Sequence, residues 1–113
     1  MSDKFTHITK DINTQLAKLR KEMPDVMAGF SSLAQAATKD GALDKKTKEL
    51  IAMALAVSKQ CPGCIGFHSQ TLIKLQTTRE ELLETLAMAV YMGGGPSLMY
   101  AAEALEAFEE FSQ

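Results

Sequence analysis

The amino-acid sequence predicts an all-α fold, a compact arrangement of about six helices in a single domain spanning residues 1–113. Three observations carry this expectation. Apolar residues recur at helical spacing through most of the chain, and no segment has the strict alternation of a half-buried strand. Each of the three prolines, Pro24, Pro62 and Pro96, stands where one helical pattern stops and the next begins. A chain of 113 residues has room for one core only, because at this size roughly two thirds of the unfolded surface is buried. No internal repeat or low-complexity segment interrupts it.

The first helix is expected over about residues 4–22, with Ile8, Ile12, Leu16 and Leu19 inward, and Pro24 interrupts it. The second runs from Pro24 to about Thr38, with Val26, Met27, Phe30, Leu33 and Ala37 inward, and ends at Asp40-Gly41. Asp44 caps the third, in which the eight residues Leu50 to Val57 are all apolar, the pattern of a buried helix. The fourth begins at Pro62, carries Cys64, His68, Leu72 and Leu75 on one face, and stops near Gln76. Thr78-Arg79-Glu80-Glu81 reads as a capping box opening the fifth, with Leu82, Leu83, Leu86, Met88, Ala89 and Val90, and Gly93 to Gly95 end it. The last helix starts at Pro96 with two apolar stripes, Leu98/Ala101/Ala102/Leu105/Phe108 and Tyr100/Ala104/Ala107/Phe111. One core needs only one of these faces, so the other predicts a subunit interface, with Glu103, Glu106 and Glu110 on the remaining wet face.

The chemistry is concentrated between Glu49 and His68. The only two cysteines, Cys61 and Cys64, flank Pro62-Gly63. If Pro62 opens a helix, Cys61 is its N-cap and Cys64 its third residue, where unpaired amides and the helix dipole favour a thiolate, the nucleophilic form of cysteine. His68 lies one turn beyond Cys64 and shares its face, so imidazole and sulfur can exchange a proton directly or through one water. A disulfide between the pair requires Cys61 to leave regular helix, since side chains three apart within a helix are too far separated. Glu49, in an apolar helix, needs a partner, and His68 is the candidate. Counted along two antiparallel helices, Glu49 lies roughly 15 Å back from the turn and His68 roughly 9 Å forward, a gap left for a crossing angle or a second subunit to close. An ordinary first-turn acid paired with Lys45 or Lys46 is the competing reading of Glu49.

This pattern, Glu49, eleven residues, Cys61-x-x-Cys64, three residues, His68, resembles the core motif of the AhpD-like alkylhydroperoxidases of the carboxymuconolactone decarboxylase superfamily. The stretch Tyr91-Met92-Gly93-Gly94-Gly95-Pro96 with the Ala/Glu-rich helix after it is similar to the small single-domain members, so the resemblance covers residues 41–112 at least. It implies an all-helical oligomer, often a hexamer, and thiol-dependent reduction of hydroperoxides or of a partner's disulfide. By position, Cys64 resembles the family's sulfenic-acid-forming cysteine, Cys61 its more exposed disulfide partner, and Glu49 and His68 its proton relay. One departure is Gly63, where the best-known peroxidase members carry histidine, which favours general thiol–disulfide chemistry over efficient peroxidase turnover.

A net charge of −2 with no basic stripe argues against a nucleic-acid partner. No apolar run approaches a membrane span, and Met-Ser-Asp-Lys-Phe does not read as a signal peptide, so the expected location is cytoplasmic. No cofactor is called for: Gly93-Gly94-Gly95-Pro96 lacks the strand before it and the Lys-Ser/Thr after it that a phosphate loop needs. The expected partners are therefore a hydroperoxide or disulfide substrate, a redox partner protein and further copies of the chain. Two other readings stay open. Cys61, Cys64 and His68 form three potential metal ligands, so a non-enzymatic thiol sensor or metal module competes, as does a lactone decarboxylase of the same superfamily.

Overall fold

The computed structural model describes residues 3–113 and contains six helices: α1 (Lys4–Glu22), α2 (Pro24–Thr38), α3 (Lys45–Ser58), α4 (Pro62–Lys74), α5 (Arg79–Gly93) and α6 (Gly95–Phe111). The sequence signals place every one of these within a residue or two. Met1 and Ser2, part of the segment read as lacking leader character, lie outside the described residues. Helices α3, α4, α5 and α6 pack on one another, and α1 lies across α4 and α6. Their common core holds Met53 and Val57 of α3, Ile65 and Leu72 of α4, Leu82 of α5 and Phe108 of α6, closed from α1 by Phe5.

The boundaries have local causes. Asp44 accepts a hydrogen bond from the Thr47 amide at 2.8 Å and starts α3. Thr78 and Glu81 form the reciprocal capping box of α5. Helices α3 and α4 end alike. Gln60 and Gln76 adopt left-handed conformations with φ of 57° and 60°. The Gln60 amide donates to the Val57 carbonyl and the Cys61 amide to that of Ala56, and Gln76 and Thr77 repeat this with Ile73 and Leu72. Both are Schellman closures built without glycine. Gly94, with φ of 73°, is the single residue between α5 and α6, and a side chain at Gly93 would collide with Ser97.

Four expectations are corrected. α2 buries nothing: Val26, Phe30 and Leu33 stand 62, 67 and 63% exposed, because α2 touches only α1 and the start of α3. α3 is apolar all round yet not buried all round, since Ile51 and Leu55 face outward. On α6 the two stripes merge: Ala101, Ala104, Ala107 and Phe108 form the core face, Tyr100, Leu105 and Phe111 pack beside it, and Leu98 is exposed. The acids there are not a wet face either. Glu110 accepts hydrogen bonds from the amides of Phe5 at 3.1 Å and Thr6 at 2.7 Å and from the Thr6 hydroxyl at 2.6 Å. It thereby caps α1 from across the fold, a role Asp3 leaves open, while Lys4 pairs with Glu103 and Glu106.

Candidate redox-active site

Cys61 belongs to two helices at once. Its amide completes the closure of α3, and its side chain caps α4, where its sulfur accepts the Cys64 amide at 3.2 Å. The backbone at Cys61 is extended, which takes it out of the helix and lets it form a disulfide with Cys64, their Cα atoms 5.3 Å apart. One turn and a half of sequence therefore sets three things: the end of α3, the start of α4 and the position of both sulfurs at the positive end of the α4 dipole.

His68 and Glu49 meet within one chain. His68 Nδ1 lies 2.6 Å from Glu49 Oε2, and no second subunit is needed. The turn is confined to residues 59–61, so Glu49 stands nine residues before the end of α3 and His68 six after the start of α4, an axial offset of roughly 4–5 Å that two long side chains span. The Glu49 side chain is 6% exposed and that of His68 34%. The carboxylate is thus buried, and among the described residues its hydrogen-bond partner is the half-buried imidazole. Lys46, the rival partner for Glu49, pairs with Glu81 at 3.0 Å. His7 is exposed and paired with Asp3, remote from the site.

Why position 63 carries no side chain is also legible. A Cβ at Gly63 would lie 2.6 Å from Ile12 Cδ1, and one at Gly66 2.7 Å from Thr9 Cγ2. These two glycines, one turn apart, form the seat on which α1 rests against the first turns of α4. The contact is invisible in the motif itself, because Ile12 and Thr9 come from a helix about fifty residues earlier. Among the described residues no three His, Cys, Asp or Glu side chains are arranged to hold a metal ion.

Residues 24–107 match the sequence pattern of the carboxymuconolactone decarboxylase family, and the chain belongs to that family as an AhpD-like member. An uncharacterised protein of Cupriavidus necator is 44% identical over 96% of this chain and 95% of its own length, and one encoded in the cox locus of Paracoccus denitrificans 38% over 72% and 73%. Among solved structures, the apo form of a carboxymuconolactone decarboxylase family protein of Legionella pneumophila is 90% identical, covers 99% of this chain and 100% of its own, and superposes with a TM-score of 0.98. A family member from Thermotoga maritima, described in connection with an antioxidative response, is 26% identical over 95% of this chain and 88% of its own, with a TM-score of 0.77.

Proposed function

We propose that the protein is a thiol-dependent oxidoreductase that reduces hydroperoxides or disulfides through the Cys61–Cys64 pair. The observation that carries this reading is the coincidence, in twenty residues, of a closed cysteine pair at a helix N-terminus with a histidine one turn along the helix whose Nδ1 is held by a buried carboxylate. A lone Cys-x-x-Cys would support much less. The antioxidative description of the Thermotoga relative points the same way.

In the reduced protein, Cys64 is the nucleophile and His68, oriented by Glu49, takes its proton at Nε2. The Cys64 thiolate attacks one oxygen of the peroxide bond, the alkoxide leaves as the alcohol with the proton His68 carries, and Cys64 becomes a sulfenic acid. Cys61, held as thiolate by the Cys64 amide and the α4 dipole, attacks that sulfur, expels water after protonation, and forms the disulfide. An external dithiol returns both thiols, which assigns the protein to a reducing compartment such as the cytoplasm. With a disulfide substrate the same nucleophile forms a mixed disulfide that Cys61 resolves.

Mass spectrometry of the reduced protein after a hydroperoxide tests this. The expected product has lost the two thiol hydrogens, and Cys61→Ser retains one added oxygen on Cys64. Oxidation of Cys61 in Cys64→Ser, with Cys64 inert in Cys61→Ser, would reverse the assignment. Consumption of many equivalents of hydroperoxide in the presence of excess dithiol separates an enzyme from a sensor that oxidises once. A lactone decarboxylase would keep its activity after both thiols are alkylated.

A further inference from the structure

The turn Cys61-Pro62-Gly63-Cys64 has one link with no restraint of its own. The Cys61 amide donates to the Ala56 carbonyl at 3.1 Å, and the Cys61 carbonyl accepts the Ile65 amide at 2.9 Å. Pro62 is fixed by its ring. Cys64 donates its amide to the Cys61 sulfur. Gly63, the second residue of α4, has no side chain and the widest backbone freedom of any residue type, and a first helical turn leaves its amide without an intrahelical acceptor. What meets Gly63 comes from α1. A Cβ built there would lie 2.6 Å from Ile12 Cδ1, and beyond its own turn no other atom of the described residues comes within 4 Å of that point.

Ile12 is held firmly at that point. Phe5, Ile8, Thr9 and Ile12 share one face of α1 by helical spacing. Phe5 is fully buried, Ile8 packs against the core, and Thr9 seats on Gly66, one turn along α4 from Gly63. Glu110 fixes the first turn of the same helix through the Phe5 and Thr6 amides. We propose that Ile12 is a positioning residue for the cysteine pair: by confining Gly63 it keeps Cys61 and Cys64 in closing geometry when they are reduced, and thereby sets their reduction potential. The proposal rests on the redox reading of that pair. Without the restraint, each closure of the disulfide has to order Gly63 anew, and fixing one residue's backbone is worth on the order of tenfold in an equilibrium constant. A dithiol already held in place closes more readily, so the contact makes the pair more reducing. A contact that served the fold alone would stabilise the oxidised and reduced protein alike and leave the potential where it is.

The test equilibrates the full chain with mixtures of oxidised and reduced dithiothreitol and counts free thiols by alkylation and mass spectrometry. In this exchange the S–S bond of the protein forms as that of dithiothreitol breaks, and the two protons of the protein thiols end on the two dithiothreitol sulfurs. Ile12→Ala is expected to lower the constant for closing the protein disulfide about tenfold, a potential about 30 mV less negative. Ile12→Val removes only the contacting Cδ1 methyl and is expected to shift the constant the same way by less; it stands in for the alanine variant if that one loses helicity. Ile8→Ala loosens α1 from the core but has no atom near the Gly63 position, so it is expected to lower the melting temperature and leave the constant unchanged. Parental constants in both Ile12 variants, or an equal shift in Ile8→Ala, would overturn the proposal and leave the redox reading standing. A parent pair that does not exchange with dithiothreitol at any ratio would overturn the redox reading and the proposal with it.

Discussion

Glu49 is a carboxylate with one way out. Its helix is apolar from Leu50 to Val57, and among the described residues the 2.6 Å contact to His68 Nδ1 is its hydrogen bond. The two side chains are held as a pair, and under the proposed thiol chemistry Glu49 would leave Nε2 of His68 to serve the sulfur. Glu49→Gln and His68→Ala are expected to leave the helices intact and to move the pH profile of Cys64 alkylation upward. A move of one pH unit means about tenfold slower alkylation at pH 7. Identical profiles across pH 5 to 9 in both variants and the parent would remove the relay (that window spans the roughly 6 to 8.5 of His and Cys titration). Gln76 gives a second residue-level expectation. It holds a left-handed conformation on the surface, which costs a residue with a Cβ roughly 1–2 kcal/mol, more than glycine loses by its freedom in the unfolded chain. Gln76→Gly is expected to stabilise by up to about 1 kcal/mol, read as a higher denaturation midpoint at unchanged slope.

At the scale of elements, α1 is held by two contacts its own sequence does not advertise. At one point Gly63 and Gly66 admit Ile12 and Thr9 onto α4. Gly66→Ala sets about 1 kcal/mol of helix propensity against a Cβ 2.7 Å from a stiff, buried threonine, and overpacking of about 1–3 kcal/mol is expected to win. At the other point Glu110 caps the first turn. Burial alone raises its carboxyl pKa, but the hydrogen bonds from the Thr6 hydroxyl, the Thr6 amide and the Phe5 amide outweigh that and leave it below the ordinary value of 4.5. A carboxylate depressed on folding stabilises above its unfolded pKa, and that contribution is lost as pH falls through the lower folded value. Glu110→Ala is therefore expected to cost about 1 kcal/mol at pH 7 and progressively less below about pH 4, where the parent has lost the same contribution. Chemical denaturation at pH 7 and pH 3 checks both halves. A cost that does not shrink with acid would mean Glu110 serves as packing rather than as a charged cap.

For the whole molecule, the disulfide is a weak staple. It closes a loop of three residues' separation, so the chain-entropy account allows it no more than about 2 kcal/mol. Reduction is expected to leave the circular dichroism spectrum unchanged and to lower the melting temperature by about ten degrees or less. Collapse of helicity on adding a dithiol would contradict a redox cycle run on a standing scaffold. The six helices and the grouping of Cys61, Cys64 and His68 at the start of one helix were legible because both follow from neighbours in sequence. Prolines and caps act within a turn, and Cys64 and His68 share a face by spacing alone. The sequence by itself thus determined where the helices begin and end and which residues could do thiol chemistry. The tertiary structure decided that Glu49 reaches His68 without a second subunit, that Glu110 caps a helix a hundred residues away, that α1 rests on two glycines of α4, and that apolar surface is left over on α2 and between α3 and α5 as well as at the start of α6. The physical reason is that an apolar stripe specifies that something must cover it, whereas what covers it depends on distances between residues far apart in the chain.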